Sequence, residues 1–273
     1  MRDEPPAIAC ETESYRVFRG DCLEVLSQLA PDSVDLVFAD PPYNLSNDGF
    51  TCQSGKAVSV NKGKWDKSHG IAQDFEFHKT WMAACQRVLK PGGSLWVSGT
   101  YHNIYGCGFA LQILDFHLLN DICWYKPNAS PNLSCRVFTA SHETLLWARK
   151  HHKGKHTFNY EAMKFGEFPK DDLKKAEKQM RSVWMIPTTP TSEKRNGKHP
   201  TQKPLALLDR IITASTNPGD LVLDPFMGSG TTGVAAIGQG RQFIGIEQDA
   251  EFLDLAIARL AETSPPDYSP PPP

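Results

Sequence analysis

Short apolar runs and longer stretches with helical spacing alternate along this chain. Tyr15 to Arg19 alternates as a strand. Cys22, Leu23, Val25, Leu26 and Leu29 then recur at helical spacing until Pro31-Asp32 breaks the pattern. Val34 to Ala39 is nearly continuous in apolar residues, as a strand buried on both faces requires. Further on, the pattern predicts helices over Asp74–Leu89, Ile104–Leu114, Leu205–Ser215, Thr231–Ile237 and Ala250–Glu262. Strands are predicted over Ser94–Ser98, Leu118–Trp124, His142–Ala148, Leu221–Leu223 and Phe243–Ile246. Strands alternating with helices predict an α/β fold: a mostly parallel twisted sheet with helices on both faces.

The remainder is polar. Residues 1–14 read as an N-terminal tail, 15–262 as one catalytic domain, and the proline-rich residues 263–273 as a disordered tail. Asn44 to Gln73 is a long stretch rich in Gly, Ser and Lys. It reads either as a mobile flap over substrate, with Lys56, Lys62 and Lys64 against phosphate, or as a solvated basic loop. Pro127 to Phe138 reads as a loop. The net charge of −2 excludes a globally basic surface, so any nucleic-acid contact must be local. Within 151–200, eleven Lys and Arg stand against six Asp and Glu, with aromatics interleaved. Lys174, Lys175, Lys178 and Arg195 are the DNA-contact candidates there, and a solvated lysine-rich insertion is the plainer alternative. Seven cysteines without a Cys-x-x-Cys favour reduced thiols, and no metal site is assigned. No apolar run approaches the ~20 residues of a membrane span.

Two stretches carry chemistry. The first is Leu221 to Thr232, an apolar strand ending at Asp224-Pro225, then a turn through Gly228, Ser229 and Gly230, then a helix start. That arrangement builds nucleotide-type sites at the carboxyl ends of parallel strands. Gly228, Gly230 and Gly233 formally fit a dinucleotide fingerprint with Glu247 beyond, and the missing Lys excludes a Walker loop. Asp224, however, would repel a pyrophosphate and suit an ammonium or sulfonium. S-adenosylmethionine has both cations and a ribose for Glu247, so it is preferred. NAD, or glycines that merely allow close packing, remain the alternatives.

The second is Asp40-Pro41-Pro42-Tyr43, just past the Val34–Ala39 strand. Two prolines stiffen the chain and bias Asp40 away from helix. A carboxylate, a bare Pro41 carbonyl and an aromatic ring could grip a planar exocyclic amine, with Tyr43 stacking on the base. A turn with a capping Asp and a core Tyr is the bland alternative.

Asp-Pro-Pro-Tyr, His-Pro-Thr-Gln-Lys-Pro (199–204) and Asp-Pro-Phe-Met-Gly-Ser-Gly-Thr-Thr (224–232), in that order, resemble the beta group of S-adenosylmethionine-dependent DNA amino-methyltransferases. The resemblance covers about Tyr15 to Glu262. It implies a Rossmann-like methyltransferase fold with circularly permuted motif order. Asp40, Pro41, Pro42 and Tyr43 would then be catalytic, and Asp40 would also face the cofactor. Phe226, Gly228, Ser229, Gly230, Thr231 and Thr232 would wrap the methionine part of S-adenosylmethionine near Asp224. Glu247 would bind its ribose, and Asp21 and Cys22 would contact its adenine. His199, Thr201 and Lys203 would complete the pocket, Lys203 on the methionine carboxylate. Residues 151–197 occupy the place of target recognition.

The resemblance further implies a site-specific methyl transfer to adenine N6 in DNA, because Asp precedes Pro-Pro-Tyr where cytosine-N4 relatives more often have Ser. Cytosine-N4 transfer is the alternative, and an idle DNA-binding module a more distant one. A homodimer, a cognate restriction endonuclease and the bacterial cytosol or nucleoid complete what the likeness implies.

Overall fold

The computed structural model describes residues 6–43, 50–53, 56–59, 68–133, 135–166 and 178–266. One nine-stranded sheet organises them, in the order β1-β2-β11-β10-β3-β6-β8-β7-β9. Five neighbouring strands at its centre are parallel: β2 (Tyr15–Arg19), β11 (Gln242–Glu247), β10 (Leu221–Asp224), β3 (Val34–Ala39) and β6 (Leu89–Gly99). β8 (His142–Arg149) runs antiparallel between β6 and β7 (His117–Tyr125). β10 and β11, although late in the chain, lie between β2 and β3.

The period-two alternation of the strands divides the interior into two cores. Leu36 and Phe38 of β3, Trp96 of β6 and Val222 of β10 point to one face, where Leu207, Ile211, Ala236 and Leu260 cover them. Those residues belong to α5 (Leu205–Ser215), α6 (Thr231–Gly238) and α7 (Ala250–Ala261). Val37, Ala39, Leu95, Val97 and Leu223 point to the other face, under Val25, Trp81, Cys85 and Leu111. These come from α1 (Cys22–Gln28), α2 (Ile71–Val88) and α3 (Ile104–Ile113). Strands apolar on both faces therefore lie between two helical layers, as their sequences require.

Several expectations change. Ala7–Glu11, read as tail, is the edge strand β1, antiparallel to β2. β6 starts five residues before its predicted Ser94, at Leu89, because pairing with β3 begins at Val34–Leu89, before an irregularity that precedes Leu36–Ser94. α2 begins at Ile71, inside the stretch read as loop. The 151–197 segment is not wholly peripheral. It contains α4 (Tyr160–Phe165) and β9 (Val183–Met185), which pairs parallel to β7 and closes the sheet edge. The flap stretch contributes β4 (Phe50–Gln53) and β5 (Lys56–Ser59), an antiparallel pair. No helix among the described residues is long and apolar enough to cross a membrane.

Candidate active site

Parallel strands deliver their carboxyl ends to one sheet edge, and here each of four neighbours brings a carboxylate. Asp21 follows β2, Asp40 follows β3, Asp224 ends β10 and Glu247 ends β11. A cleft lined by all four opens between them. Cys22, Pro42, His199, Thr201, Lys203, Phe226, Gly228, Ser229, Thr231 and Thr232 also line it. Sequence positions more than 200 apart, such as Asp21 and Glu247, thus meet because β11 and β10 lie between β2 and β3. Of the predicted cofactor residues only Gly230 is not on the wall. It instead caps α6 in a left-handed conformation, φ +72°, that a side chain resists.

The glycine turn is shaped by its neighbours. Gly228 has φ +50°, and a Cβ there would stand 3.0 Å from the His199 ring. His199 itself packs against Phe252, ring centroids 4.2 Å apart. At Gly233 a Cβ would meet Phe243 and Leu260 at 2.6 Å, so this glycine does let α6 pack close to the sheet. Close packing explains Gly233, while Gly228 lines the cleft. Arg259 ties the turn from behind, donating to the Ser229 carbonyl and to Thr231 Oγ1.

The carboxylates differ in setting. Asp21 caps α1, accepting from the amides of Leu23 and Glu24. Asp224 is buried and accepts from Thr232 Oγ1 at 2.5 Å and from the Phe226 amide at 3.0 Å. Burial nevertheless pushes its carboxyl up to about 7. Glu247 accepts from the amides of Gly228, Gln248 and Asp249, and burial raises its carboxyl too. Burial pushes the Cys22 thiol up to about 12, which leaves it protonated and unreactive.

Asp40 stands in a buried network. Tyr43 donates to Asp40 Oδ1 at 2.6 Å, and Lys203 Nζ donates to Oδ2 at 2.5 Å. Lys203 also lies 3.5 Å from Glu143 Oε2, and Lys126 pairs with Glu143 Oε1 at 2.9 Å. The Tyr43 hydroxyl is 2.9 Å from Ser98 Oγ and 3.0 Å from Glu143 Oε2. Burial raises the Asp40 carboxyl against the pull of Lys203. Burial acts on Glu143 in the same sense, but Lys203 and Lys126 together hold that carboxyl down at about 2. Lys203, flanked by two acids, stays charged despite its burial.

Two roles read from the sequence are revised by this network. Lys203 lines the cleft, but its ammonium is engaged by Asp40 and Glu143 instead of standing ready for a methionine carboxylate. A lysine only 6% exposed needs such partners, since an unpaired buried charge is costly. Tyr43 is likewise 6% exposed, so its ring is largely enclosed and offers the cleft little stacking face. Pro41 is buried, and Pro42 lines the cleft. Glu143, Lys126 and Ser98 were not singled out in the sequence. Each lies on or beside a strand whose place in the sheet is set by pairing far along the chain. Gln202 was missed although it lies inside the His-Pro-Thr-Gln-Lys-Pro motif.

Of the DNA-contact candidates, Lys178 and Arg195 are exposed. Lys62, Lys64, Lys174 and Lys175 lie outside the described residues. Lys56 begins β5, whose side chains are outside the description.

A family model described as DNA methylase matches residues 34–258. The chain belongs to the DNA methylase family. The methylase is 46% identical over 260 residues to the type II methyltransferase M2.MboI of Moraxella bovis, covering 95% of this chain and 92% of that one. It is 51% identical to M2.DpnII of Streptococcus pneumoniae over 241 residues, 88% of this chain and 87% of the relative. Among solved structures it resembles the M1.HpyAVI–SAM complex, with TM-score 0.65 and 30% identity over 90% of this chain and 98% of the other.

The methylase uses S-adenosylmethionine, and the cleft fits that cofactor. Four carboxylates and one neutralised lysine suit a cation with hydroxyls and would oppose a pyrophosphate, which removes the NAD alternative. Gln202 lines the same wall, and its buried Oε1 has no hydrogen-bond partner among the described residues. It is an acceptor still to be satisfied.

Proposed function

We propose that this methylase transfers the methyl group to the exocyclic N6 of adenine at a specific DNA sequence. It is a site-specific, adenine-specific DNA methyltransferase of the restriction–modification type. The observation that carries the catalytic reading is the Asp40 carboxylate, held by Tyr43 and Lys203 on the wall of the cleft that also bears Asp224 and Glu247.

Bound S-adenosylmethionine supplies the electrophilic methyl group. The chain's own work is to position and polarise. The target base leaves the stack at a cost of a few kcal/mol. Asp40 and the Pro41 carbonyl accept from its amino group, so that the nitrogen lone pair is localised out of the ring. Both Asp40 oxygens already accept one hydrogen bond, yet each carboxylate oxygen has a second lone pair to offer. Glu247 would accept the cofactor's ribose hydroxyls, and Asp224 would hold its cationic part. The thiols take no part, because direct transfer needs no nucleophile on the enzyme. The amino proton passes to solvent after transfer.

The basic segment 151–197 reads the target sequence, with Lys174, Lys175, Lys178 and Arg195 on phosphate. Lys56, Lys62 and Lys64 add contacts from the flap. We also assign a homodimer, a cognate restriction endonuclease working beside it, and the bacterial cytosol as its location. The exposed apolar face of α3, where Tyr105, Phe109 and Ile113 are each more than half exposed, supports self-association. Size measurement in solution at micromolar concentration tests it, and a monomer would refute it.

The deciding experiment is long-read modification sequencing of DNA from cells expressing the chain, beside an Asp40→Ala control. N6-methyladenine at one motif, absent in the control, is expected. N4-methylcytosine would overturn the base assignment, and no mark would overturn the activity.

A further inference from the structure

We propose that Glu143 is a positioning residue for methyl transfer, dividing the Lys203 ammonium and the Tyr43 hydroxyl between itself and Asp40 and so setting how strongly Asp40 accepts the target amino group. The inference rests on the reading of Asp40 as that acceptor.

The geometry is one of shared donors. Tyr43 has a single hydroxyl proton and two carboxylates in reach, Asp40 Oδ1 at 2.6 Å and Glu143 Oε2 at 3.0 Å. Ser98 Oγ, 2.9 Å away on a third side, fixes where that hydroxyl sits. Lys203 is shared in the same way, 2.5 Å from Asp40 and 3.5 Å from Glu143. Lys126 supports Glu143 from behind at 2.9 Å. The charges therefore alternate in a row, Lys126, Glu143, Lys203, Asp40, and the row ends on the atom set that meets substrate. An ion pair serving stability alone would be complete with Lys126 and Glu143. The second oxygen of Glu143 is directed to the two donors that hold Asp40, and it also accepts from Ser98 Oγ at 3.3 Å.

Charged and titratable groups face Asp40 from each neighbouring element. Lys203 comes from the segment before α5, Glu143 from β8, Asp224 from β10 and Tyr43 from its own segment. Lys126, just beyond β7, acts on it through Glu143. Without the Glu143 charge, Lys203 and the Tyr43 proton lean further toward Asp40, which becomes a weaker base and a poorer acceptor. Without Lys126, Glu143 draws harder on Lys203, and Asp40 becomes more basic.

The test compares Glu143→Gln, Lys126→Met and Asp40→Asn by single-turnover methyl transfer to plasmid DNA from a host lacking adenine methylation. Rates are taken across roughly pH 5.5 to 9, with cofactor affinity measured separately by calorimetry. Asp40 must be ionised to accept, so its titration forms the acid limb of the rate. Glu143→Gln is expected to slow transfer at least about tenfold with cofactor affinity little changed. Its acid limb should move to lower pH, by on the order of one unit. Lys126→Met should move the limb the opposite way. An unmoved limb in both variants, or shifts in the same direction, would overturn the role, since a merely structural pair lowers rate or stability without opposed shifts. Should Glu143→Gln fail to fold, Lys126→Met decides alone: an upward shift supports the role and an unmoved limb overturns it. An active Asp40→Asn would sink the acceptor reading itself, whereas an inactive one beside unmoved limbs sinks only this inference.

Discussion

The Gly228 amide donates to Glu247 Oε2 at 2.9 Å, which fastens the glycine turn after β10 to the end of β11. The same carboxylate takes the amides of Gln248 and Asp249 on its other oxygen. Glu247 therefore shapes the wall on which it would bind a ribose, and its two tasks are coupled.

From this coupling, Glu247→Ala should weaken S-adenosylmethionine binding roughly tenfold to a hundredfold, since hydrogen bonds to a charged group are each worth about 1.5–3 kcal/mol. Turnover at saturating cofactor should change far less. Calorimetric titration and single-turnover rates separate the two, and a loss confined to turnover would contradict the ribose role.

Asp40→Ala should reduce transfer by at least about a hundredfold, the usual scale for removing a preorganised polar contact to the transition state. Lys203 would remain paired with Glu143, so the fold should hold and cofactor affinity should stay within a few-fold. Labelled-methyl incorporation into DNA measures the first quantity and equilibrium binding the second.

Asp224 gives a pH dependence of defined sign. Burial pushes its carboxyl from the usual 3.8 to about 7 in the folded chain. Between those values the folded state keeps a proton that the unfolded chain releases, so this group's contribution to stability falls as pH rises through the window. Asp224→Asn can keep both hydrogen bonds, to Phe226 and Thr232, and should flatten that slope. Thermal melts of the two proteins at about pH 5 and pH 8 check it, an equal slope in both being the contrary result.

Neutralising Lys174, Lys175 and Lys178 together should lower the salt slope of DNA binding by about three counterions' worth. Fluorescence titrations across a salt series would reveal an unchanged slope if the DNA surface lies elsewhere.

The sequence by itself determined the central architecture, because its signals are local. Nearly continuous short apolar runs bounded by turn residues, such as Val34–Ala39, fit strands buried on both faces, and β2 and β3 have the predicted bounds. The prolines and glycines after β3 and β10 fix backbone shape within a few residues, so Asp40, Asp224 and the turn could be placed at strand ends. Glu247 followed from the strand it closes, and all three line one cleft.

What only the tertiary structure decided depends on pairings between distant segments. β1 carries no clean alternation, because it is an edge strand exposed along most of its length. β9 is three residues long and is a strand only because β7 offers it an edge. Tyr43 and Glu143 are 100 residues apart, and nothing near either one signals the other. They meet because β8 inserts antiparallel beside β6, bringing Glu143 to the edge where Ser98 and Asp40 already stand. Burial there turns a predicted cofactor lysine into the partner of two carboxylates, since the ammonium of Lys203 has left water and must be neutralised where it lies.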